Sequence, residues 1–398
     1  MKLADALHCT GCGACREICP RNAISMQADP DGFPTPVISA DQCVECGLCE
    51  KSCPALHAPA TQAVQAAYAV QLKDRDALRE STSGGIFTAL SREVFSRGGA
   101  VYGCVWDDEM NAVTRRAENE EEIKAMRGSK YVWSRASDCF PEIRQALASG
   151  RIILFTGLPC QVAGLKKYLG KEYDNLYLLD FLCSGSPSPL AFRKYLDTIC
   201  RPGTAPKDLH LKFRDKDLYG VGVHITYTGK RKKTKAIGEH IANPYYYSFY
   251  TRLIDRQSCY QCPYGTDQRI SDLTMGDYWG IGRYHQDMDI KAGVSALLVN
   301  TSKGAELIKS AEGQLELKPT KPEQIAAANN LSCNGAVRKV HRPEQREAFF
   351  EELRKNGWKS AERKYLLNLT RAKRYIKVRM PAGTAGRLKK LKKKLLGS

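Results

Sequence analysis

Cys9-Thr-Gly-Cys12-Gly-Ala-Cys15-Arg-Glu-Ile-Cys19-Pro20 and Cys43-Val-Glu-Cys46-Gly-Leu-Cys49-Glu-Lys-Ser-Cys53-Pro54 are two copies of one pattern, and together they hold eight of the 16 cysteines in the chain. Cys-x-x-Cys-x-x-Cys-x-x-x-Cys-Pro is the spacing that holds a pair of cubane 4Fe–4S clusters. Three thiolates on one tight loop grip three corners of a cube, and the fourth, at the start of a short helix, reaches the other cube. On that scheme one cluster takes Cys9, Cys12, Cys15 and Cys53, and the other takes Cys43, Cys46, Cys49 and Cys19. Gly11, Gly13 and Gly47 suit a backbone that must wrap closely around a cluster. Pro20 and Pro54 fix the chain where it turns away.

A disulfide framework and a pair of zinc sites are the competing readings. Cysteines this close in sequence would need strained local bridges. Structural zinc sites use pairs of Cys-x-x-Cys rather than a doubled triplet with a displaced fourth cysteine. Residues 1–57 are therefore expected to form a dicluster ferredoxin fold that stores and passes single electrons.

At 398 residues the chain far exceeds what such a module needs, and 43% hydrophobic content is that of a globular protein. Its apolar runs, such as Ile152–Phe155 and Ala296–Val299, are of strand length, so no segment is expected to span a bilayer. No apolar signal core precedes Cys9, and thiolates that must stay reduced suggest the cytoplasm. The net charge of +18 is unevenly spread. Thirteen Lys or Arg and no acid lie between Arg363 and Ser398, whereas residues 1–57 carry four basic and seven acidic side chains.

After a small, polar linker at 58–66, the pattern predicts a strand at Ala67–Leu72. Ser83-Gly84-Gly85 then opens a helix with Ile86, Leu90 and Val94 on one face, and a strand follows at Ala100–Trp106. A Ser-Gly-Gly turn at a helix N-terminus suits a phosphate, although many such turns only cap the helix. From Arg151 the chain reads as strand Ile152–Phe155, turn Thr156–Cys160, helix Gln161–Leu169, strand Leu176–Leu182, a loop from Cys183, and helix Leu190–Cys200. This repeat is the signature of a parallel sheet, and it sets Cys160 and Cys183 at the carboxyl ends of neighbouring strands. With Cys259-Tyr-Gln-Cys262 they make four thiols, the number a third 4Fe–4S cluster requires. Buried packing for Cys160 and Cys183, and a redox disulfide for Cys259 and Cys262, remain open at this point.

Several further motifs occur in one order: Ser83-Gly84-Gly85-Ile-Phe, Gly128-Ser129-Lys130-Tyr131-Val132, Thr156-Gly157-Leu-Pro159-Cys160-Gln161, Cys183 with Ser186-Pro-Ser-Pro, Lys212-Phe213-Arg214-Asp215-Lys216, and Cys259-x-x-Cys262 through Asp272 to Gly276-Asp277-Tyr-Trp279-Gly280. In this the chain resembles the beta-subunit family of coenzyme F420 hydrogenases and dehydrogenases, in the form with a ferredoxin module fused in front. The resemblance implies an FAD-binding core with its own cluster on Cys160, Cys183, Cys259 and Cys262. It makes Ser83, Gly84, Gly85, Lys130, Thr156 and Gly157 candidates for flavin contacts. It departs from the family pattern at Trp133 and after Lys216, which leaves the substrate undefined. The expected fold is α+β and α/β in combination: a dicluster module (1–57), a mixed α/β flavin-binding core in two parts (67–145 and 146–340) and a helical basic tail (341–398).

Clusters move one electron at a time and nicotinamide or deazaflavin carriers move two, so a flavin beside attached clusters suits conversion between the regimes. The function expected is electron transfer between a ferredoxin or other redox partner protein and a small two-electron substrate, with a non-catalytic relay subunit as the alternative. Cys104, Cys139, Cys200 and Cys333 read as packing residues, the Tyr245–Tyr250 aromatics as core, and the tail as a soluble, membrane-surface or partner-docking segment with no specific nucleic-acid role.

Overall fold

A computed structural model describes residues 3–200, 205, 209–214, 216, 222–227, 233–239, 243–329, 331–333 and 340–367. The cluster-bearing segment contributes a hairpin, β1 (Ile24–Ala28) and β2 (Pro34–Ile38), between two one-turn helices at Ala14–Glu17 and Leu48–Lys51. The linker ends in a two-residue strand, β3 (Gln62–Ala63). The core adds β4 (Ala66–Leu72), β5 (Ala100–Trp106), β6 (Ala112–Ala117), β7 (Ser134–Arg135), β8 (Ile153–Thr156) and β9 (Leu176–Phe181). An antiparallel trio follows, β10 (Leu209–Lys212), β11 (Gly222–Tyr227) and β12 (Lys233–Glu239). Then come β13 (Gln268–Arg269), paired with β3, and β14 (Leu273–Asp277), β15 (Ser295–Val299) and β16 (Leu315–Thr320).

Among the described residues nine strands form one sheet in the order β16-β4-β15-β14-β9-β8-β5-β6-β7. Its centre, β14-β9-β8-β5, is parallel, as the strand–turn–helix repeat predicts. Both edges are antiparallel, apart from the short parallel pairing of β7 with β6. Successive side chains of a strand point to opposite faces, and the core follows that rule. Leu154, Tyr177 and Leu179 face the helices Ile86–Ser96 and Ser302–Ala311, while Ile153, Phe155, Leu176 and Leu178 face Phe140–Ala148 and Pro159–Leu169.

A third cluster of apolar side chains joins Phe192 and Tyr195 of the Pro189–Ile199 helix to Tyr245 and Phe249 of the Pro244–Tyr250 helix. Phe349, Phe350 and Trp358 of the helix Arg346–Ala361 complete it. Tyr195 stacks on Tyr245 at 5.2 Å and meets Trp358 edge-on at 5.3 Å. Tyr245 and Phe249 are thus core and Tyr246 and Tyr247 pack against it, whereas Tyr250, expected in the core, ends its helix exposed to solvent; the chain up to Leu366 belongs to that core as well. The basic stretch beyond 367 lies outside the described residues. Among the described residues no helix is long and apolar enough to cross a membrane.

The ferredoxin-like segment docks on the Phe155 side of the sheet, where Ala14 is fully buried beside Val162 and Leu165. A Cβ on Gly164 would come within 2.8 Å of the Cys12 Cβ, so that glycine allows the cluster loop to touch the helix. Arg16 pairs with Asp138. At the hairpin turn, Asp31 accepts from the buried Arg346 at 2.7 Å and from Arg354 at 2.8 Å.

Candidate metal centres and cofactor site

Gly13 and Gly47 adopt φ of 77° and 76°, start the two one-turn helices, and bend each cysteine loop back on itself. Two hollows result. One is lined by Cys9, Cys12, Cys15 and Cys53. The other is lined by Cys43, Cys46, Cys49 and Cys19. The fourth cysteine of each run crosses to the other copy. Burial, with Cys9 and Cys53 alongside, pushes the Cys12 thiol up to about 11. Thiols gathered in this way ionise only around a cation, which is what cluster iron supplies. The first hollow is the inner one, against the core. The second is the outer one, where Cys46 is exposed between exposed Val44 and Leu48.

The structure also brings Cys160, Cys183, Cys259 and Cys262 together. Cys160 lies in the first turn of Pro159–Leu169 directly after β8, and Cys183 lies just past β9, its neighbour in the sheet. Cys259 sits in the 3₁₀ turn Gln257–Gln261, and Cys262 follows it. Burial raises all four thiols, and for Cys160 the next causes are Cys183, Cys262, Cys259 and then Cys12 of the inner hollow. Among the described residues no three or more His, Cys, Asp or Glu close around a point as ligands of a single ion would. Corners of a cubane are set wider than ligands of one ion. Tyr264, 8% exposed, is within electrostatic reach of Cys160 and Cys262 and equally of Cys12 and Cys53.

The flavin candidates divide into two groups. The Ser83-Gly84-Gly85 turn lies against β15: Ser83 donates to the Val294 carbonyl at 2.9 Å and Gly84 N–H donates to Ser295 Oγ at 2.8 Å. The Ser83 carbonyl accepts from Lys216 Nζ at 2.8 Å. Arg214 pairs with Asp277, at the carboxyl end of β14, at 2.8 Å and covers the exposed ring of Trp279. Burial pushes Lys216 down to about 8 against the pull of Asp277. Thr82 Oγ1, Thr88 Oγ1 and Arg214 Nε are buried without a partner among the described residues. Unsatisfied donors beside a helix N-terminus fit a polar, anionic group there.

The remaining candidates are engaged elsewhere. Lys130 Nζ donates to the carbonyls of Ala125, Met126, Arg127 and Gly128 at 3.0–3.2 Å. Thr156 donates to the Tyr102 carbonyl, and Gly157 packs on the Phe155 ring. Arg214 and Lys216 were legible as a motif, but only the fold shows Lys216 meeting the Ser-Gly-Gly turn and Arg214 meeting Asp277. Arg256 and Asp255, beside the cysteines, carried no sequence signal. Of the four cysteines read as packing residues, Cys139 is buried, and Cys104, Cys200 and Cys333 are partly exposed.

Two crossed cysteine quartets on an α/β core define an iron–sulfur protein with a dicluster module. The family model for a 4Fe-4S dicluster domain matches residues 8–56. The chain belongs to the coenzyme F420 hydrogenase/dehydrogenase beta-subunit family, whose N-terminal model matches residues 67–140 and whose C-terminal model matches residues 150–323. That family is part of oxidoreductase complexes, which makes this chain an electron-transfer protein by kinship. Among solved structures, a chain of the F420-reducing NiFe hydrogenase complex from Methanosarcina barkeri, determined as a xenon derivative, is similar. It shows 16% identity and a TM-score of 0.43, covering 67% of this chain and 89% of that one. No curated protein matches.

Proposed function

We propose that this chain is an iron–sulfur flavoprotein oxidoreductase subunit that passes electrons between a one-electron protein carrier and a small two-electron substrate of deazaflavin or similar type. Cys9, Cys12, Cys15 and Cys53 would hold the inner cluster and Cys43, Cys46, Cys49 and Cys19 the outer one. Cys160, Cys183, Cys259 and Cys262 would hold a third 4Fe–4S cluster. Bound FAD would supply the exchange between single-electron and two-electron chemistry. Its phosphates would take the Ser83–Gly85 turn with Lys216 and Arg214. Lys130, by holding four carbonyls, shapes the segment that carries Tyr131 toward Phe213 and the Arg214 neighbourhood.

One observation carries this reading. Cys12 of the inner quartet lies on Gly164 of the helix that Cys160 begins, so thiols run in a file from the exposed Cys46 to the carboxyl ends of the parallel strands. The Trp279 face and the cations nearby suit a planar, anionic substrate.

Anaerobic purification tests it. Three cubanes give about twelve irons per chain, and acid releases one flavin. A colourless acid supernatant with about eight irons would leave the non-catalytic relay subunit in its place.

A further inference from the structure

Arg256 is 3% exposed and belongs to the core, yet its side chain ends in the cluster module. Nε donates to the Cys9 carbonyl at 2.7 Å, and Nη2 donates to the Pro34 carbonyl at 2.9 Å and approaches Cys9 Sγ at 3.6 Å. Nη1 is buried with no partner among the described residues. It lies against Gly11, where a Cβ would stand 2.8 Å away, and Gly11 lines the inner hollow. Among the described residues Arg256 makes no ion pair with a carboxylate. A buried guanidinium without an anion is costly. Four thiolates around a cubane carry net negative charge, and they are the anion at hand. The main chain of Arg256 is also spoken for: its carbonyl accepts from the Cys259 N–H at 3.0 Å, and its own N–H donates to the Ser186 carbonyl at 3.0 Å.

We propose that Arg256 is a poising residue, a cation lent by the α/β core to the inner ferredoxin cluster that raises its reduction potential. Reduction adds one electron, from the one-electron carrier, and no proton, so the cluster becomes more negative by one charge. A fixed positive charge and a donor to a ligating sulfur favour that state. Arg256 thereby makes the inner cluster, rather than the outer one, the preferred resting place for an electron. The same residue braces Cys259 through its main chain, so the two sites it touches are held in register. The proposal rests on the inner ligand set and is independent of the third cluster and the flavin.

The full chain, purified anaerobically, is compared with Arg256→Met and Arg256→Lys by redox titration followed by electron paramagnetic resonance, with iron counted per chain. A Cys46→Ser chain assigns the outer signal. Arg256→Met is expected to make the inner cluster at least tenfold harder to reduce, about 59 mV for one electron, with the outer signal unmoved. Arg256→Lys, with charge but no fork, is expected to shift less at parental iron content. Unmoved potentials at parental iron would overturn the proposal. So would iron loss in the Met chain with an unmoved potential in the Lys chain, or iron loss in both, because Arg256 would then be a structural brace only. A parent chain without two reducible 4Fe–4S signals would overturn the inner ligand assignment and this proposal with it.

Discussion

Cys12 belongs to the inner cluster loop, and its side chain rests on a helix whose first turn carries Cys160. Gly164 makes that contact possible, which gives a substitution with opposing terms. Gly164→Ala favours the helix by about 1 kcal/mol, while a methyl group pressed into Cys12 costs about 1–3 kcal/mol. The second term should win, seen as a lower melting temperature together with reduced iron content. The paired change Cys160→Ala and Cys262→Ala should lower iron from about twelve to about eight per chain while leaving the dicluster signals intact. Lys216 gives a pH prediction. Burial brings it from 10.5 to about 8, so its charge is lost as pH rises through about 8. FAD affinity should therefore fall between pH 7 and 9, and the step should vanish in Lys216→Met. Stability moves the other way: the folded chain releases this proton before the unfolded one does, so the burial penalty is relieved as pH rises from about 8 to 10.5. Titration calorimetry at several pH values reads the first effect, and thermal melts without flavin read the second.

Elements differ in how legible they were. The parallel β8–β9 unit could be read because strand, turn and helix follow each other within thirty residues, and a local repeat leaves a local pattern. The insertion of β15 between β4 and β14 could not, because antiparallel pairing of distant strands has no period in sequence. The cysteine hollows were legible from spacing, and the crossing of Cys19 and Cys53 reproduces that scheme. The surroundings of the flavin candidates were not legible. Lys130 sits in a motif, but four neighbouring carbonyls take its charge, and no spacing reveals that competition. The helix Arg346–Ala361 read as the start of a basic tail because its charges are conspicuous, yet its buried face packs Phe349 and Trp358 into the core. Trp358→Ala should therefore destabilise the whole chain by about 3–5 kcal/mol, measured by denaturant unfolding. Deleting 381–398 should leave iron content and transfer to a soluble partner unchanged.

At the scale of the whole molecule, the cluster module is fastened to the core at several places, among them Cys12 on Gly164, Arg16 on Asp138, the Cys9 and Pro34 carbonyls on Arg256, and Asp31 on Arg346. The last pair lies 315 residues apart in sequence, so only the finished fold could show it. Arg346 is fully buried and keeps Glu347 at 3.1 Å when Asp31 is removed, so losing the charged hydrogen bond to Asp31 should cost about 1.5–3 kcal/mol. Asp31→Ala should thus lower the melting temperature of the full chain and loosen the hairpin turn in hydrogen exchange. A module fastened in this way is no swinging arm that searches for its target by diffusion. Thickening the solvent with glycerol should slow encounters with an outside carrier, while hops between the internal centres, set by fixed tunnelling gaps, keep their speed.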